Sequence, residues 1–469
     1  MEQRLAPYTP VTGGLSLRLF TALSLLACLT AGAAFAWSPP VALAVLGVGG
    51  WVVLSLFHPA LGLLTLLAYT SLHPVLVKVV YEEHPLARVW KDGAVFWLML
   101  VWLVHRWGNR ERPMRWGVTE VVLTAFALLT VVHLFNPNIY SFSAALADVR
   151  WLTMPLFFYF FGKTLFAGER LRTLLVFIGV LAVIHAGYGL AQQFIPYRWL
   201  MEVGATRPSA PSGTMVGGQT RSFSTMDPYL FGALMAFGAV IALGMVSRRG
   251  ERNAVGWLIA VLLTSLGAVF SLARVAWVML WVGTVCLGAW TRSRLAIALA
   301  VVALGALLLP VEGLWRERTQ DVLAPFAPAS TISVRMTFWR KAIREVWQHP
   351  LGMGLGTLGI GRWSEDSPRL LGYTTGADNN YLYILVETGW VGLLLYLCAL
   401  RSILVGGWRM IRGMPDGAQR VCAAVAWTIV LQSAVGNVVN FSIFLPPVSW
   451  CLWLCAGALM TQVDDIAGR

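Results

Sequence analysis

PYLFGALMAFGAVIALGMV, residues 228–246, contains no charged side chain. At 1.5 Å per residue it makes a helix about 28 Å long, enough to cross a hydrocarbon core of about 30 Å. Asp227 stands before it as a candidate N-cap and Pro228 fits the first helical position. Arg248, Arg249 and Arg252 follow its far end. Apolar runs of this kind recur from one end of the chain to the other. They are continuous rather than alternating, which selects helices over a membrane barrel. The chain therefore reads as all-α: a polytopic transmembrane helical bundle.

Composition agrees. Hydrophobic residues make up 58% of the chain and charged residues 12%, about half the charge of an ordinary soluble domain. Mean hydropathy is +0.69. The net charge of +13 invites a nucleic-acid reading, but basic residues that mark cytoplasmic loops account for most of it. No nucleic-acid partner is expected. The six cysteines lie in apolar segments, which suits neither a disulfide framework nor a thiol nucleophile. The seven histidines are scattered without metal-ligand spacing.

The expected spans are Leu19–Trp37, Val41–Phe57, Leu61–Val80, Gly93–Val104, Val118–Phe135, Leu152–Phe166, Leu174–Phe194, Pro228–Val246, Val255–Leu272, Val275–Trp290, Leu295–Leu309, Tyr381–Leu400, Val421–Val438 and Ile443–Met460. Merging the second and third with their neighbours lowers about fourteen spans to about twelve. Ala34-Phe35-Ala36 imitates a signal-peptidase site, but another span follows directly, so the first is expected to stay. Pro74 is expected to kink the third span or end it early. The cluster Arg106, Arg110, Arg112 and Arg115 fixes orientation, with both termini cytoplasmic. Four regions result: N-terminal helices over 1–195, central helices with arginine-bearing turns over 196–310, a long outer loop over 311–379, and C-terminal helices over 380–469.

With that orientation Arg207, Arg221, Arg274, Arg335 and Arg340 fall on the outer side, where few basic residues belong. Arg274 sits between two apolar spans with almost no loop, in Ser271-Leu272-Ala273-Arg274. A charge there needs a partner or a purpose; snorkelling to the interface is one reading. Arg221 precedes the span at Pro228 and either pairs with an acid or faces a ligand. Several guanidinium forks near one membrane face suit phosphate oxygens.

In the long loop, Ile332, Met336, Trp339, Ile343 and Val346 recur at spacings of three and four. That pattern predicts an amphipathic helix to Gln348, lying on the membrane or over the bundle. Gly352, Gly354 and Gly356 offer either backbone N–H groups for a phosphate or a flexible turn. Asp378-Asn379 opens the next span, and there a helix cap competes with a carboxylate general base. Glu387 lies deeper, as a structural or secondary acid candidate.

These residues resemble the O-antigen ligase and polymerase superfamily of bacterial inner membranes. The resemblance is carried by Arg221 through Pro228, by Ser271-Leu272-Ala273-Arg274, by Arg335…Trp339…Ala342…Pro350…Gly352…Gly354, and by Asp378-Asn379-Asn380-Tyr381-Leu382…Glu387-Thr388-Gly389. It implies a metal-independent inverting glycosyltransferase with no cofactor, working at the periplasmic face of the inner membrane. Glycan would pass from undecaprenyl diphosphate to an acceptor hydroxyl on lipid A–core, on another lipid-linked repeat unit, or on protein. Arg221, Arg274 and Arg335 then correspond to donor-binding arginines. Asp378, Arg274 and Arg335 form the expected catalytic set, and Arg207, Arg340, Asn379, Tyr381 and Glu387 are secondary. The family usually has His-Asn where this chain has Asp378-Asn379, which tilts the expectation toward polymerisation of a surface polysaccharide. The competing class is a polysaccharide or lipid transporter; it would want charge at mid-membrane and repeat symmetry, whereas the spans are nearly free of such charge and no internal repeat is visible.

Overall fold

The computed structural model describes residues 39–79, 85–108, 114–139, 141–196, 199–200, 215–216, 219–248, 253–308, 331–357, 379–439 and 444–467. Leu19–Trp37, Arg207 and Asp378 lie outside them. The chain divides into two compact units, Met1–Met114 and Arg115–Arg469. In the first, α1 (Pro39–Phe57), α2 (Pro59–Val79) and α3 (Pro85–Gly108) form a small bundle. Trp51 Nε1 donates to the Gly62 carbonyl at 2.9 Å and Trp97 Nε1 to Ser55 Oγ at 2.8 Å. Helix α2 runs on past Pro74, so the proline does not end it early.

The second unit holds α4 (Val118–Val132), α5 (Phe142–Leu165), α6 (Arg170–Ala191), α7 (Pro228–Val246), α8 (Ala254–Phe270), α9 (Arg274–Thr291) and α10 (Arg294–Leu308). Helices α11 (Thr331–Gln348), α12 (Asn380–Gly413), α13 (Ala418–Gly436) and α14 (Val448–Ala467) follow. A two-residue hairpin, Met215–Val216 with Gln219–Thr220, precedes the Arg221 segment. Among the described residues, seven helices are long and apolar enough to cross a membrane, and shorter apolar helices accompany them. This is a multi-pass helical membrane protein. The run that opened the sequence is its core: α7 is buried along almost its whole length, and Asp227 caps it by accepting from Tyr229 N at 2.8 Å.

Small residues let helices touch, since lipid supplies no hydrophobic drive between them. A Cβ on Gly457 would meet the Tyr159 carbonyl at 1.9 Å, and one on Gly162 the Leu454 carbonyl at 2.2 Å, so α5 and α14 cross backbone to backbone. At one end of this pair Lys163 Nζ donates to Glu120 Oε1 at 2.5 Å, with Tyr159 OH on the same oxygen. This buried, fully bonded ion pair staples α4 to α5.

The expected span Tyr381–Leu400 is one part of a longer element. Helix α12 runs for 34 residues with a break at Gly389, where φ is 71° and ψ −171°. The turn after α11 fills the break: Trp390 N donates to the Pro350 carbonyl at 3.1 Å and Met353 N to the Val386 carbonyl at 2.7 Å. These bonds satisfy groups that a broken helix exposes in an apolar surround. A Cβ on Gly389 would lie 2.5 Å from both the Leu351 carbonyl carbon and the Pro350 oxygen. Replacing Gly389 with alanine is expected to destabilise the protein by about 3 kcal/mol or more. Thermal denaturation in detergent reads this, with Gly93→Ala as an unchanged control because its Cβ would meet nothing within 4 Å.

Candidate active site

Helix α8 ends at Phe270 and α9 begins at Arg274, so the last carbonyls of α8 need donors within a very short turn. Each finds one. Ser271 N donates to the Gly267 carbonyl at 2.9 Å and Leu272 N to Val269 at 3.1 Å. Ser271 Oγ donates to the Ala268 carbonyl at 2.6 Å, and Trp277 Nε1 reaches the same carbonyl at 3.2 Å. The Arg221 segment supplies the rest: Ser222 N donates to the Phe270 carbonyl at 2.9 Å and Arg221 Nε to the Ser271 carbonyl at 2.8 Å. A cation at a helix C-terminus is favourable by about 0.3–1 kcal/mol. The Arg221 guanidinium also lies 4.6 Å from the Tyr229 ring centre, a cation–π contact.

Arg221 and Arg274, about fifty positions apart in sequence, thus belong to one joint. They are not equivalent in it. Arg221 is 1% exposed, whereas Arg274 is half-buried at the first turn of α9. Arg221 braces the turn that presents Arg274.

The Arg221 loop is itself held from α6. Gln192 Oε1 accepts from Phe223 N at 3.1 Å and Ser224 N at 2.8 Å, while Gln192 Nε2 donates to the Ser224 carbonyl at 2.7 Å. His185 Nδ1 and Ser224 Oγ are 2.8 Å apart, and Gln193 Nε2 donates to Ser222 Oγ at 2.9 Å. Ser224 has φ 54°, an uncommon conformation for serine that this clamp maintains. No sequence motif marks Gln192 or His185; a polar side chain, at the end of an apolar run for Gln192 and within it for His185, was the only signal.

Helix α12 starts at the same end of the bundle. Asn379 is its N-cap, accepting from Leu382 N at 3.0 Å. Asn380 N donates to the Asn437 carbonyl at 2.8 Å and its Nδ2 to Asn437 Oδ1 at 2.5 Å; Tyr381 OH donates to the Ala434 carbonyl at 2.7 Å. The capping role thus falls to Asn379, and Tyr381 pins α12 to the end of α13. Gln432 Nε2 donates to the Met279 carbonyl at 2.7 Å. Asn437 and Arg274 each lie five residues from that bond, about 7.5 Å along α13 and α9. The arginine joint and the start of α12 are therefore level.

Helix α11 departs from its expected face. Phe338, Ala342 and Val346 are buried against Met353, Leu382, Leu385 and Val386, with Trp339 packed on the edge. Ile343 is 43% exposed and Trp347 70%. Of the predicted stripe, Val346 is buried and Met336 and Trp339 are partly so, while Ile343 lies off the packed face. Trp347 lies 5.8 Å from Trp390, so the C-terminal end of α11 packs beside the break in α12. Arg335 is half-buried on the packed side; Arg340 is exposed.

The glycine run does not form a phosphate cradle. Gly352, Gly354 and Gly356 have φ of 95°, 95° and 79° and are buried against protein. Gly352 N donates to the His349 carbonyl at 2.8 Å, and Gly356 N donates to Asp148 Oδ2 at 2.7 Å and Glu387 Oε2 at 3.3 Å. Glu387 is 0% exposed and faces this turn. No group of three or more metal-ligating side chains occurs among the described residues.

A family model described as O-antigen ligase matches residues 258–397. The match runs from α8 through α9, α10 and α11 into α12. No curated protein matches the chain.

Gln192→Leu removes a clamp on three buried backbone groups, each worth about 1 kcal/mol or more. The variant is expected to melt earlier in detergent and to lose activity. Gln192→Glu, which keeps the acceptor oxygen for Phe223 N and Ser224 N, is expected to fall between it and the wild type.

Proposed function

Since residues 258–397 match a family model described as O-antigen ligase, we propose that the chain transfers glycan from undecaprenyl diphosphate to an acceptor hydroxyl at the periplasmic face of the bacterial inner membrane. Polymerisation of a surface polysaccharide is the favoured outcome, with ligation onto lipid A–core or protein as the alternative. The observation that carries this reading is the joint at Ser271. It gathers arginine-bearing turns from two loops at the level where α12 begins.

In this reading Arg274 and Arg335 bind the donor diphosphate and Arg221 supports them from behind. As the glycosidic bond breaks, negative charge grows on the departing diphosphate, and guanidinium groups aimed at it lower the barrier. On the other side of the sugar carbon a base takes the acceptor proton. Asp378 is the assigned base. Asn379 already caps α12, so the cap leaves Asp378 available for chemistry. An aspartate is a weak base at its ordinary pKa of about 3.9, and desolvation at the membrane boundary would strengthen it. Attack from the face opposite the leaving group inverts the anomeric centre, and the scheme draws on protein side chains alone.

The test supplies purified protein in nanodiscs with a labelled undecaprenyl-diphosphate glycan and, separately, a lipid-linked repeat unit or lipid A–core. Transfer to the repeat unit is expected, with Arg274→Ala and Arg335→Ala each reducing kcat/KM about 100-fold. Asp378→Asn is expected to abolish transfer, and full activity in that variant removes the base assignment. Movement of the donor across the bilayer without transfer would favour a transporter instead.

A further inference from the structure

Two carboxylates meet inside the bundle where the donor scheme needs none. Asp148 on α5 and Glu387 on α12 are both 0% exposed. They converge on one backbone donor, Gly356 N, at 2.7 Å and 3.3 Å. Tyr383, also buried, is the neighbour of both. An ionisable side chain buried inside an apolar bundle is costly and calls for a purpose. A neutral acceptor would satisfy one N–H more cheaply; a carboxylate makes a bond about twice as strong.

The surrounding backbone shows what that bond holds. Gly356 lies so close to α5 that a Cβ would sit 2.9 Å from Ala144 Cβ and 3.1 Å from Ala145 N. Gly354 presses on the preceding turn, 3.2 Å from Ile139 N, and Gly352 lies 2.6 Å from the Glu387 carbonyl by the same measure. The turn is thus wedged between α5 and the break in α12. It continues directly from α11, whose buried face shares the Met353–Leu382–Val386 core and which carries Arg335.

We propose that Asp148 and Glu387 form a latch that positions Arg335, by gripping the Gly352–Thr357 turn and so fixing the end of α11. Both are positioning residues; neither touches substrate. What Arg335 does there rests on the donor reading above, whereas the grip on the turn stands on the geometry alone.

The test uses the full-length protein in nanodiscs with two readouts. Hydrogen exchange comes first. Glu387→Ala is expected to raise exchange at least about tenfold over 338–357 while α14 stays at the wild-type rate, because local opening of the turn is what the latch prevents. Transfer kinetics come second. Glu387→Ala is expected to lower kcat about 10–100-fold with donor KM within about threefold, and Glu387→Gln, which keeps an acceptor oxygen, to recover most of it. In an Arg335→Ala background the same Glu387→Ala change is expected to cost no more than about twofold, since residues acting through one another are not additive. Unchanged exchange, or an equal loss of kcat in both backgrounds, overturns the latch. If Glu387→Ala does not insert, Asp148→Asn and Glu387→Gln carry the exchange measurement: a rise of about threefold over 353–357 supports the latch and none overturns it. A wild type that transfers nothing would remove the donor reading and leave exchange to decide the latch.

Discussion

The hydrogen bond from Arg221 Nε to the Ser271 carbonyl is the joint on which the candidate site depends. It exists because two apolar helices meet there with only three residues between them. A turn that short leaves the carbonyls at the end of α8 in an apolar surround, where water cannot serve them. The Arg221 segment brings both a backbone N–H and a guanidinium to those carbonyls. In doing so it orients α9, whose first residue is Arg274. The clamp from Gln192 then settles the Arg221 loop on α6, so the joint is braced from both sides.

The second half of the site is built on a different principle. Helix α12 is broken at Gly389, and a turn rich in left-handed glycines fills the gap. Packing sets that turn from outside, so closely that a Cβ on Gly352, Gly354 or Gly356 would meet a neighbouring atom at 2.6, 3.2 or 2.9 Å. Carboxylates set it from inside. The two halves are joined through α13, where Gln432 bonds α9 and Asn437 receives the first residue of α12. A short chain of hydrogen bonds therefore fixes the arginine joint relative to the start of α12. Pre-set geometry of this kind suits a transfer whose barrier is lowered by charges already in position.

The sequence carried much of the fold. The apolar run at residues 228–246 is α7 residue for residue, and Asp227 caps it as its position before Pro228 implied. Arg221 and Arg274 were legible as charges that lipid would not tolerate without cause. Their union was not, because it rests on a bond across fifty residues that no local pattern encodes. Asp148 and Gln192 were missed for the same reason: each is one polar residue near the end of an apolar run. The face of α11 was misread on a different ground. Val346 of the expected stripe is buried, whereas Ile343 is 43% exposed and the buried face is completed by Phe338 and Ala342 from outside the stripe. The glycines were read as ligand-binding or flexible, yet they are where three backbones meet.

Arg221 contributes a fork-shaped brace that presents Arg274, beyond adding a positive charge. Arginine and lysine differ in this respect, since lysine keeps the charge but has no Nε–H to hold the Ser271 carbonyl. The most direct measurement is the affinity of purified Arg221→Lys for undecaprenyl diphosphate in nanodiscs, beside the wild type and at matched thermal stability. Binding is expected to weaken at least about tenfold despite the unchanged charge. Wild-type affinity in Arg221→Lys would contradict it.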